Sequence, residues 1–413
     1  MNTTRRTFLQ STLGASAVMA LSGGAPRFLL EAAARDTEQG ETEPGDDTVL
    51  VVVQLTGGND GLNTVVPIED DAYYRARPRL AVAKSDAIKI DDQFGLHPAL
   101  TGMAELFKSG ELAIVQGVGY PRPNRSHFES MDIWHSCRRK SQARPDGWLG
   151  RYLDAAAMAD GRDVPALHLG DKKLPLALVG QDVRVPSVRS IDRFRLTAAP
   201  DVRKVVDGLA TAERPTDDDL LGFVQSSTTA ALEASRRVEA AKRGYRTEVD
   251  YPDSGLAGQL RTVAQLLDAG LSTRVYYVEL DGFDTHAQQA DVHRALLAEL
   301  SQAVHAFLRD VAAHGHGDRV LLMAFSEFGR RVSENASQGT DHGAAAPMML
   351  AGRRVRGGLH GGQPSLTDLE DGDLKHHTDF RQVYAAILEK WLAWSSKSVL
   401  GEEFKPLDLM RTT

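Results

Sequence analysis

Short apolar runs alternate with amphipathic segments along the chain from about residue 48 onward. The runs are dense in leucine and β-branched residues, which is typical of strands buried on both faces. They predict strands over residues 50–55, 112–118, 274–280, 320–325 and 347–350. Between them, apolar residues recur at helical spacing and predict helices over residues 98–109, 256–269 and 291–313, with a last helix that begins at Thr378 or Asp379.

This alternation predicts an α/β fold, a doubly wound and largely parallel sheet with helices on both faces. The middle of the chain is less regular, and apolar runs at residues 166–169, 176–179 and 183–188 predict an irregular strand region beside the main sheet. A polar-faced helix is predicted over residues 216–244, where an acidic turn would complement the helix dipole. We interpret residues 48–413 as a single domain with a helical insert at about residues 205–250.

The amino terminus predicts an export signal. Arg5-Arg6 followed by Thr7-Phe8-Leu9 and a mildly apolar stretch is a twin-arginine pattern, and Ala32-Ala33-Ala34 offers small residues for cleavage. Residues 1–34 are therefore predicted to be a twin-arginine signal peptide and residues 35–47 an acidic linker, with a periplasmic or extracellular mature protein. The apolar stretch is too short to cross a bilayer, which takes ~20 residues, so no membrane span is expected in the mature chain.

Composition narrows the class of protein further. The 413 residues are 42% hydrophobic and 25% charged, as in ordinary globular proteins. A formal net charge of −8 and the absence of a Lys/Arg run argue against a nucleic-acid partner. Cys137 is the only cysteine, so no disulfide can form within the chain. The sequence does not indicate an oligomeric state.

Polar residues that suit a metal-dependent hydrolase follow the predicted strands. They occur in four loops: Asn59-Asp60, Ser126-His127, Asp284-Thr285-His286, and the block from Glu327 to Asp341-His342. In an open α/β sheet the carboxyl ends of the strands face the ligand crevice, so we expect these loops to meet. Carboxylate oxygen and imidazole nitrogen are ligands that divalent cations accept. The pattern therefore predicts a shared polar site that holds a cation.

Together these motifs resemble a known family. Gly57-Gly58-Asn59-Asp60-Gly61-Leu62-Asn63, Asn124-Arg125-Ser126-His127-Phe128, Gly282-Phe283-Asp284-Thr285-His286, Ser326-Glu327-Phe328-Gly329-Arg330, Thr340-Asp341-His342-Gly343 and Asp379-Phe380-Arg381 stand in the order found in the exported bacterial family called domain of unknown function 1501. That family in turn resembles the alkaline phosphatase and sulfatase superfamily. The resemblance implies an alkaline-phosphatase-like sheet, a site for one or two metal ions, and a nucleophile at a helix amino terminus.

The resemblance also implies roles for individual residues. Those implied as metal ligands are Asp60, Asp284, His286, Glu327, Asp341 and His342. The resemblance implies Ser126 as the catalytic nucleophile. His127 is interpreted as a donor that orients a ligand or as a surface residue. From charge alone, Arg125, Arg330 or Arg331 is the expected partner for the free oxygens of the ester. The cofactor would be a divalent metal, either zinc, calcium, magnesium or manganese. The Asp284-x-His286 spacing is shorter than the usual Asp-x-x-x-His of the superfamily.

Two registers compete for the last ligands. In one, Asp341-His342-Gly343 matches the superfamily's Asp-His-Gly, and both residues bind metal. In the other, Glu327 takes the place of the aspartate, Phe328 takes the place of the histidine, and His342 is the last histidine ligand. The second register places the acid at the end of the strand from Val320 and is slightly preferred.

The function that follows is an exported metal-dependent hydrolase of phosphate or sulfate esters. Its substrate would be an anionic ester, for example on a surface polysaccharide or a lipid. The alternative is a non-catalytic relative that binds a ligand or a partner protein at a degenerate metal site.

Several residues also have a purely structural interpretation. Ser126 and Glu129 have the spacing of a capping box for the helix through Trp134. The histidines on or after the helix over residues 291–313, His293 among them, are interpreted as surface residues. His360 is a reserve ligand candidate.

Overall fold

The computed structural model describes residues 47–160, 166–170, 172–183, 185–188, 244–271, 273–362 and 364–411. The predicted signal peptide falls outside the described residues, as do nearly all of the acidic linker and of the predicted helix over residues 216–244. Export, the division into domains and the helical insert therefore stay predictions.

A mixed, largely parallel sheet forms the centre of the described part. In chain order the described strands are β1 (Val49–Thr56), β2 (Val65–Pro67), β3 (Ile88–Lys89), β4 (Phe94–Leu96), β5 (Leu112–Gly119), β6 (Ala166–Leu169), β7 (Ser187–Val188), β8 (Val275–Asp281), β9 (Val320–Ser326), β10 (Ala346–Ala351), β11 (Gly358–Gly361), β12 (Leu369–Glu370), β13 (Asp373–Leu374) and β14 (Thr378–Asp379). Strands β2, β3 and β4 form one small separate sheet and β12 and β13 form another, and the other strands belong to the main sheet. The order across the main sheet is β11-β5-β10-β9-β1-β8-β6-β7, with β14 paired to β5.

Helices cover both faces of this sheet, so the α/β prediction is confirmed. They are α1 (Gly61–Thr64), α2 (Asp71–Ala76), α3 (Thr101–Lys108), α4 (His127–Ser136), α5 (Trp148–Asp160), α6 (Gly255–Asp268), α7 (Gln289–Ala313), α8 (Phe380–Lys390) and α9 (Ser396–Leu400). Helices α3, α6 and α7 pack on one face, and α4, α5, α8 and α9 pack on the other. None of the described helices is long and apolar enough to cross a bilayer.

Strand β1 explains why the sheet needs continuous apolar runs. Its alternate residues enter two different cores, Val51 and Val53 on the side of α7, Leu50 and Val52 on the side of α8. A strand covered on both faces cannot alternate between apolar and polar residues, because the polar side chains would all point into one of the two cores and be buried without partners. The predicted strand over residues 50–55 is thus confirmed with slightly wider bounds.

The direction of the strands places the site loops at one edge. Strands β8 and β9 both run parallel to β1, and their last residues pair with its last residues, Thr56 with Asp281 and Leu55 with Ser326. Strand β10 runs antiparallel to both β9 and β5, so β5 shares the direction of the other three. The loops after β1, β5, β8 and β9 therefore leave the sheet on the same side.

Two local predictions were wrong. The run over residues 176–179 is not a strand, because Leu176–Leu178 forms a turn of 3₁₀ helix after Pro175. His293 is not a surface residue: it is 2% exposed, on the side of α7 that faces the β1 loop, and its Nε2 lies 2.9 Å from Asn59 Oδ1. Burial lowers the pKa of His293 to about 4.

A buried ion pair ties the loop after β1 to the loop after β9. Arg77 Nη1 lies 2.6 Å from Asp60 Oδ2, and both side chains are almost fully buried. The same guanidinium donates from Nε to the Val332 carbonyl and from Nη2 to the Arg331 carbonyl, both at 2.8 Å. Burial opposes ionisation of Asp60, but the charge and hydrogen bond of Arg77 outweigh it and hold the pKa of this carboxyl below its usual value.

Replacing Arg77 by methionine should therefore destabilise the protein strongly. The change leaves the Asp60 carboxylate buried without its cation, and breaking a buried pair on one side costs about 3–5 kcal/mol. The measurement is the free energy of unfolding in urea. The matched control is Arg294→Met, because Arg294 forms an exposed pair with Asp291 whose loss should cost less than about 1 kcal/mol. Equal losses in the two variants would contradict this assignment.

Candidate functional site

The loops after β1, β5, β8 and β9 converge, and side chains from the last three form one cluster around Asp284. The ligand atoms of His127, Asp284 and His342 lie within 4.8 Å of one another. Asp284 Oδ1 is 3.0 Å from His286 Nε2, 3.1 Å from His342 Nε2 and 3.4 Å from His127 Nε2. The Nε2 atoms of His286 and His342 are themselves 2.9 Å apart. His127, Asp284 and His342 thus present one ligand atom each to a common centre, and His286 approaches it beside Asp284 and His342.

Each imidazole is oriented from behind through its Nδ1 atom. His127 Nδ1 lies 2.8 Å from Glu327 Oε1, and His342 Nδ1 lies 2.8 Å from the Arg125 carbonyl oxygen. His286 Nδ1 lies 3.4 Å from Asp341 Oδ1, a longer contact. An acceptor behind Nδ1 fixes the tautomer and turns the Nε2 lone pair toward the centre, which is the usual support of a metal-binding histidine.

The tautomer argument is firmest for His342. A carbonyl oxygen can only accept, so His342 Nδ1 carries the hydrogen, and the Nε2 of the neutral ring offers a lone pair. His127 Nε2 is buried and has no hydrogen-bond partner among the described residues. Nitrogen and carboxylate lone pairs that face each other at these distances repel unless a hydrogen on one of the rings, or a metal ion, lies between them.

The charges in the cluster are arranged to keep Asp284 ionised. Burial alone would raise the pKa of Asp284, but the hydrogen bond from Arg330 is the largest opposing cause, and with the charge of Arg330 it helps to lower the pKa to about 2. The hydrogen bond to Glu327 raises the pKa of His127. Asp284 is therefore a carboxylate over the whole physiological range of pH.

Arg330 is fully buried behind Asp284. Its Nη2 donates to Asp284 Oδ1 at 2.9 Å and to the Phe283 carbonyl at 2.8 Å, and it also donates to the Gly57 carbonyl. Its Nε donates to the Gly58 carbonyl at 2.7 Å, and its Nη1 donates to the Thr340 carbonyl at 2.8 Å. Every nitrogen of the guanidinium is therefore engaged with the protein, whereas the sequence predicted that Arg330 would bind the ester.

Gly57 lets two of the loops approach each other. Its φ of +118° is in the region that side chains rarely adopt, and a Cβ added there would lie 2.4 Å from the Asp284 backbone nitrogen. Its amide donates to Glu327 Oε1 at 2.9 Å. Only glycine can hold this close backbone approach, which sets the distance between the β1 loop and the ligand loop after β8.

The structure separates the two predicted registers by position. Glu327, fully buried at the end of β9, contacts His127 Nδ1, and its Oε2 lies 2.9 Å from Ser326 Oγ. Asp341, 56% exposed, contacts His286 Nδ1 from the other side. Both predicted ligands thus stand behind an imidazole. Phe328, which the second register put in place of a histidine, packs its ring 4.9 Å from the rings of His127 and His342.

Asp60, another predicted ligand, lies outside this cluster. Its carboxylate contacts Arg77, the Gln289 side chain at 2.5 Å and the Asn63 amide at 3.3 Å. These donors satisfy both oxygens. A metal role for Asp60 stays a prediction, and its ion pair with Arg77 disfavours it.

Ser126 lies at the amino terminus of α4 with an exposed side chain. The predicted capping box is wrong, because the Ser126 side chain makes no capping hydrogen bond and Glu129 pairs with Arg144 at 2.5 Å instead. The hydroxyl is therefore not used by the helix. Ser126 follows Arg125, whose carbonyl holds His342, and precedes His127, so it flanks the cluster on the α4 side.

One member of the cluster was assigned a different role from the sequence. His127 was predicted as a catalytic donor, but its Nε2 faces Asp284 beside His286 and His342. The position of His127 in the chain could have indicated that it is a ligand. His127 is the first residue of the helix that follows β5, on the same side of the sheet as the other ligand loops. Strand direction, rather than motif spacing, carries that information.

Solved structures with a similar fold share little sequence identity with this chain. A putative sulfatase from Bacteroides thetaiotaomicron has 7% identity and a TM-score of 0.40, with 87% of this chain and 76% of that one covered. The periplasmic domain of EptC from Escherichia coli, in complex with zinc, has 9% identity and a TM-score of 0.37, with 75% of each chain covered. A fold shared at this distance does not assign an activity.

No curated protein matches the sequence. A model of the family described as "Protein of unknown function (DUF1501)" matches residues 47–393, which are most of the chain. The chain therefore belongs to the DUF1501 family, as the order of its motifs indicated.

Proposed function

We propose that this protein is an exported, metal-dependent hydrolase of phosphate or sulfate esters. The observation that carries the proposal is the convergence of three imidazole Nε2 atoms on the Asp284 carboxylate, at 3.0–3.4 Å. Each ring is oriented from behind by a carboxylate or a carbonyl. His127, Asp284, His286 and His342 would hold the ion.

The donor set favours some metals over others. Three nitrogens and one carboxylate suit zinc and other transition metals, whereas calcium and magnesium prefer oxygen ligands and coordinate six or more of them. Zinc is therefore preferred to manganese, calcium or magnesium among the metals considered from the sequence. When bound, such a cation stabilises negative charge on an ester and lowers the pKa of an oxygen that it holds.

The proposed substrate class follows from charge and access. Asp284 is 48% exposed and His286 is 46% exposed, so an anion can reach this side of the cluster from solvent. Catalytic zinc sites keep a coordination position for water or substrate, so with four protein ligands here the ester would enter as a fifth ligand. The choice of phosphate or sulfate esters rests on the resemblance of the sequence motifs to the alkaline phosphatase and sulfatase superfamily.

Ser126 is the proposed nucleophile. Its Oγ would form a bond to phosphorus or sulfur as the bond to the leaving oxygen breaks, and the proton of the hydroxyl would pass to the leaving oxygen. Water would then bond to phosphorus or sulfur as the bond to Oγ breaks, and one proton of the water would restore the serine hydroxyl as phosphate or sulfate leaves. The amino terminus of α4 favours negative charge at this position, which would stabilise the ester's oxygens as charge develops.

The alternative is a metal-holding protein that binds a ligand or partner without turnover. The observation that favours it is that two arginines expected to bind the ester have partners within the protein. Arg330 binds Asp284 and backbone carbonyls, and Arg125 pairs with the buried Asp373 at 2.5 Å. A hydrolase would then have to neutralise the ester with the metal and the helix terminus alone. Turnover separates the two candidates.

Metal binding should depend on the cluster. His342→Ala removes one of the proposed ligands, so the affinity for zinc or manganese should fall by more than about 100-fold, beyond what the loss of an outer partner costs. The measurement is metal content by mass spectrometry and affinity by titration, on protein recovered from the periplasm. The control is His360→Ala, a histidine that contacts the Arg356 carbonyl instead of the cluster.

Two results would contradict this prediction. If the exported wild-type protein bound no divalent metal, this result would contradict the proposed metal site. Equal losses in His342→Ala and His360→Ala would show that the histidine cluster is not where the metal binds. Recovery of the protein from the cytoplasm alone would contradict the twin-arginine prediction separately.

Ester turnover should require both the cluster and the serine. With metal bound, the wild type should hydrolyse at least one member of a panel of phosphate and sulfate esters. Asp284→Ala should abolish this activity, and Ser126→Ala should lower kcat by about 10³-fold or more while metal content stays unchanged. The control is Ser398→Ala, an exposed serine on α9.

A metal-loaded protein with no turnover across the panel would overturn the hydrolase and leave the binding protein as the function. Turnover that survives in Asp284→Ala would place the activity elsewhere in the chain. Full activity in Ser126→Ala would remove the nucleophile but leave hydrolysis by an activated water.

A further inference from the structure

The carboxylates predicted to bind metal are almost all occupied by fixed partners. Asp60 is paired with Arg77 at 2.6 Å. Glu327 and Asp341 stand behind His127 and His286. Of the predicted acidic ligands, this leaves Asp284 facing the centre of the cluster, and a second divalent ion would find few further oxygen ligands there.

Asp284 is itself bound by a permanent cation. Arg330 Nη2 lies 2.9 Å from Asp284 Oδ1, the same oxygen that His286 and His342 approach. The guanidinium is buried, and its other contacts are hydrogen bonds to backbone carbonyls that hold it in place. A second metal ion beside Asp284 would be repelled by both the first ion and this guanidinium.

We propose that Arg330 is a positioning residue that limits the site to one divalent cation and holds the ligand loops around it. The inference rests on the metal site of the proposed function. Through Gly57 and Gly58 it holds the loop after β1, through Phe283 and Asp284 the loop after β8, and through Thr340 the segment that carries His342. It stands in the place of a second cation.

The planar shape of arginine matters for this role. A guanidinium donates in several fixed directions at once, and here it reaches carbonyls of three different segments together with a carboxylate. A lysine ammonium would keep the positive charge but could satisfy fewer of these acceptors. Arg330→Lys therefore separates the charge of the side chain from its hold on the loops.

The first test needs no variant. Wild-type protein saturated with zinc or manganese, freed of loose metal and analysed for metal and protein, should contain one ion per chain. Two ions per chain would overturn the proposal, although the proposed hydrolase would stand as a two-metal enzyme. No bound ion would remove the proposed metal site, and this inference with it. One ion without ester turnover would support the inference and overturn only the hydrolase.

The second test compares Arg330→Lys with Arg331→Lys, its half-exposed neighbour, which lies 3.6 Å from Asp373. Arg330→Lys should still bind one ion, but its affinity should fall about 10–100-fold, as is typical when a partner of a ligand is changed. Arg331→Lys should keep the wild-type affinity. Unchanged affinity in Arg330→Lys would overturn the positioning role.

The unfolding temperature of the metal-free protein separates a positioning role from a merely structural one, because a structural role would change this temperature but not the metal affinity. If Arg330 only stabilised the fold, Arg330→Lys would lower the unfolding temperature in chelator and leave the affinity of the folded protein unchanged. Should Arg330→Lys fail to fold, Arg330→Gln, which keeps neutral donors, takes its place with the same expected loss of affinity. An unchanged affinity in that variant would equally overturn the positioning role.

Discussion

Lone pairs that face one another repel unless a hydrogen or a cation lies between them, and this constraint governs the site. Three imidazoles turn Nε2 toward one carboxylate oxygen because an acceptor lies behind each Nδ1. The acceptors fix the orientation of the rings but do nothing to relieve the repulsion in front of them. Arg330 supplies one unit of positive charge from the side. A proposed divalent ion would supply the rest, and its binding free energy would offset the cost of holding the ligands together.

Holding these loops in place imposes conditions on residues that never touch the centre. Gly57 must be a glycine, because a Cβ would meet the Asp284 backbone. Arg77 must stay charged beneath the β1 loop, because it holds Asp60 and the Arg331 and Val332 carbonyls. Buried charges of this kind are expensive to desolvate and persist where several hydrogen bonds compensate them. The residue types in the scaffold below the cluster are therefore as tightly constrained as those in the cluster itself.

Most of the sheet could be predicted because a strand covered on both faces needs a continuous apolar run. The runs that became β1 and β9 carry that signal, and their observed ends extend to the polar Thr56 and Ser326 that an apolar pattern cannot include. The run over residues 176–179 carried the same signal and formed a 3₁₀ turn. Short apolar runs do not distinguish these outcomes, since burial constrains both alike.

The location of the site could also be predicted, whereas the roles within it could not. Polar residues after several strands indicated a common crevice, and the structure places Asp284, His286 and His342 together there. Whether Glu327 faces the centre or the back of an imidazole depends on the path of the backbone after β9. Arg330 and Arg331 are adjacent and chemically identical in the sequence, yet one is buried against carbonyls and the other is half-exposed near Asp373.

Exposure gives the cluster a direction. His127 and His342 are 27% and 23% exposed at their side chains, whereas Asp284 and Asp341 are 48% and 56% exposed. The two more buried rings pack against Phe328, so that face excludes water, and the acidic face opens to solvent. An ion held between them would be reached from the open face. A site meant only to stabilise the fold has no need of such an opening, so this asymmetry favours a site that takes a ligand, whether the ligand is turned over or only bound.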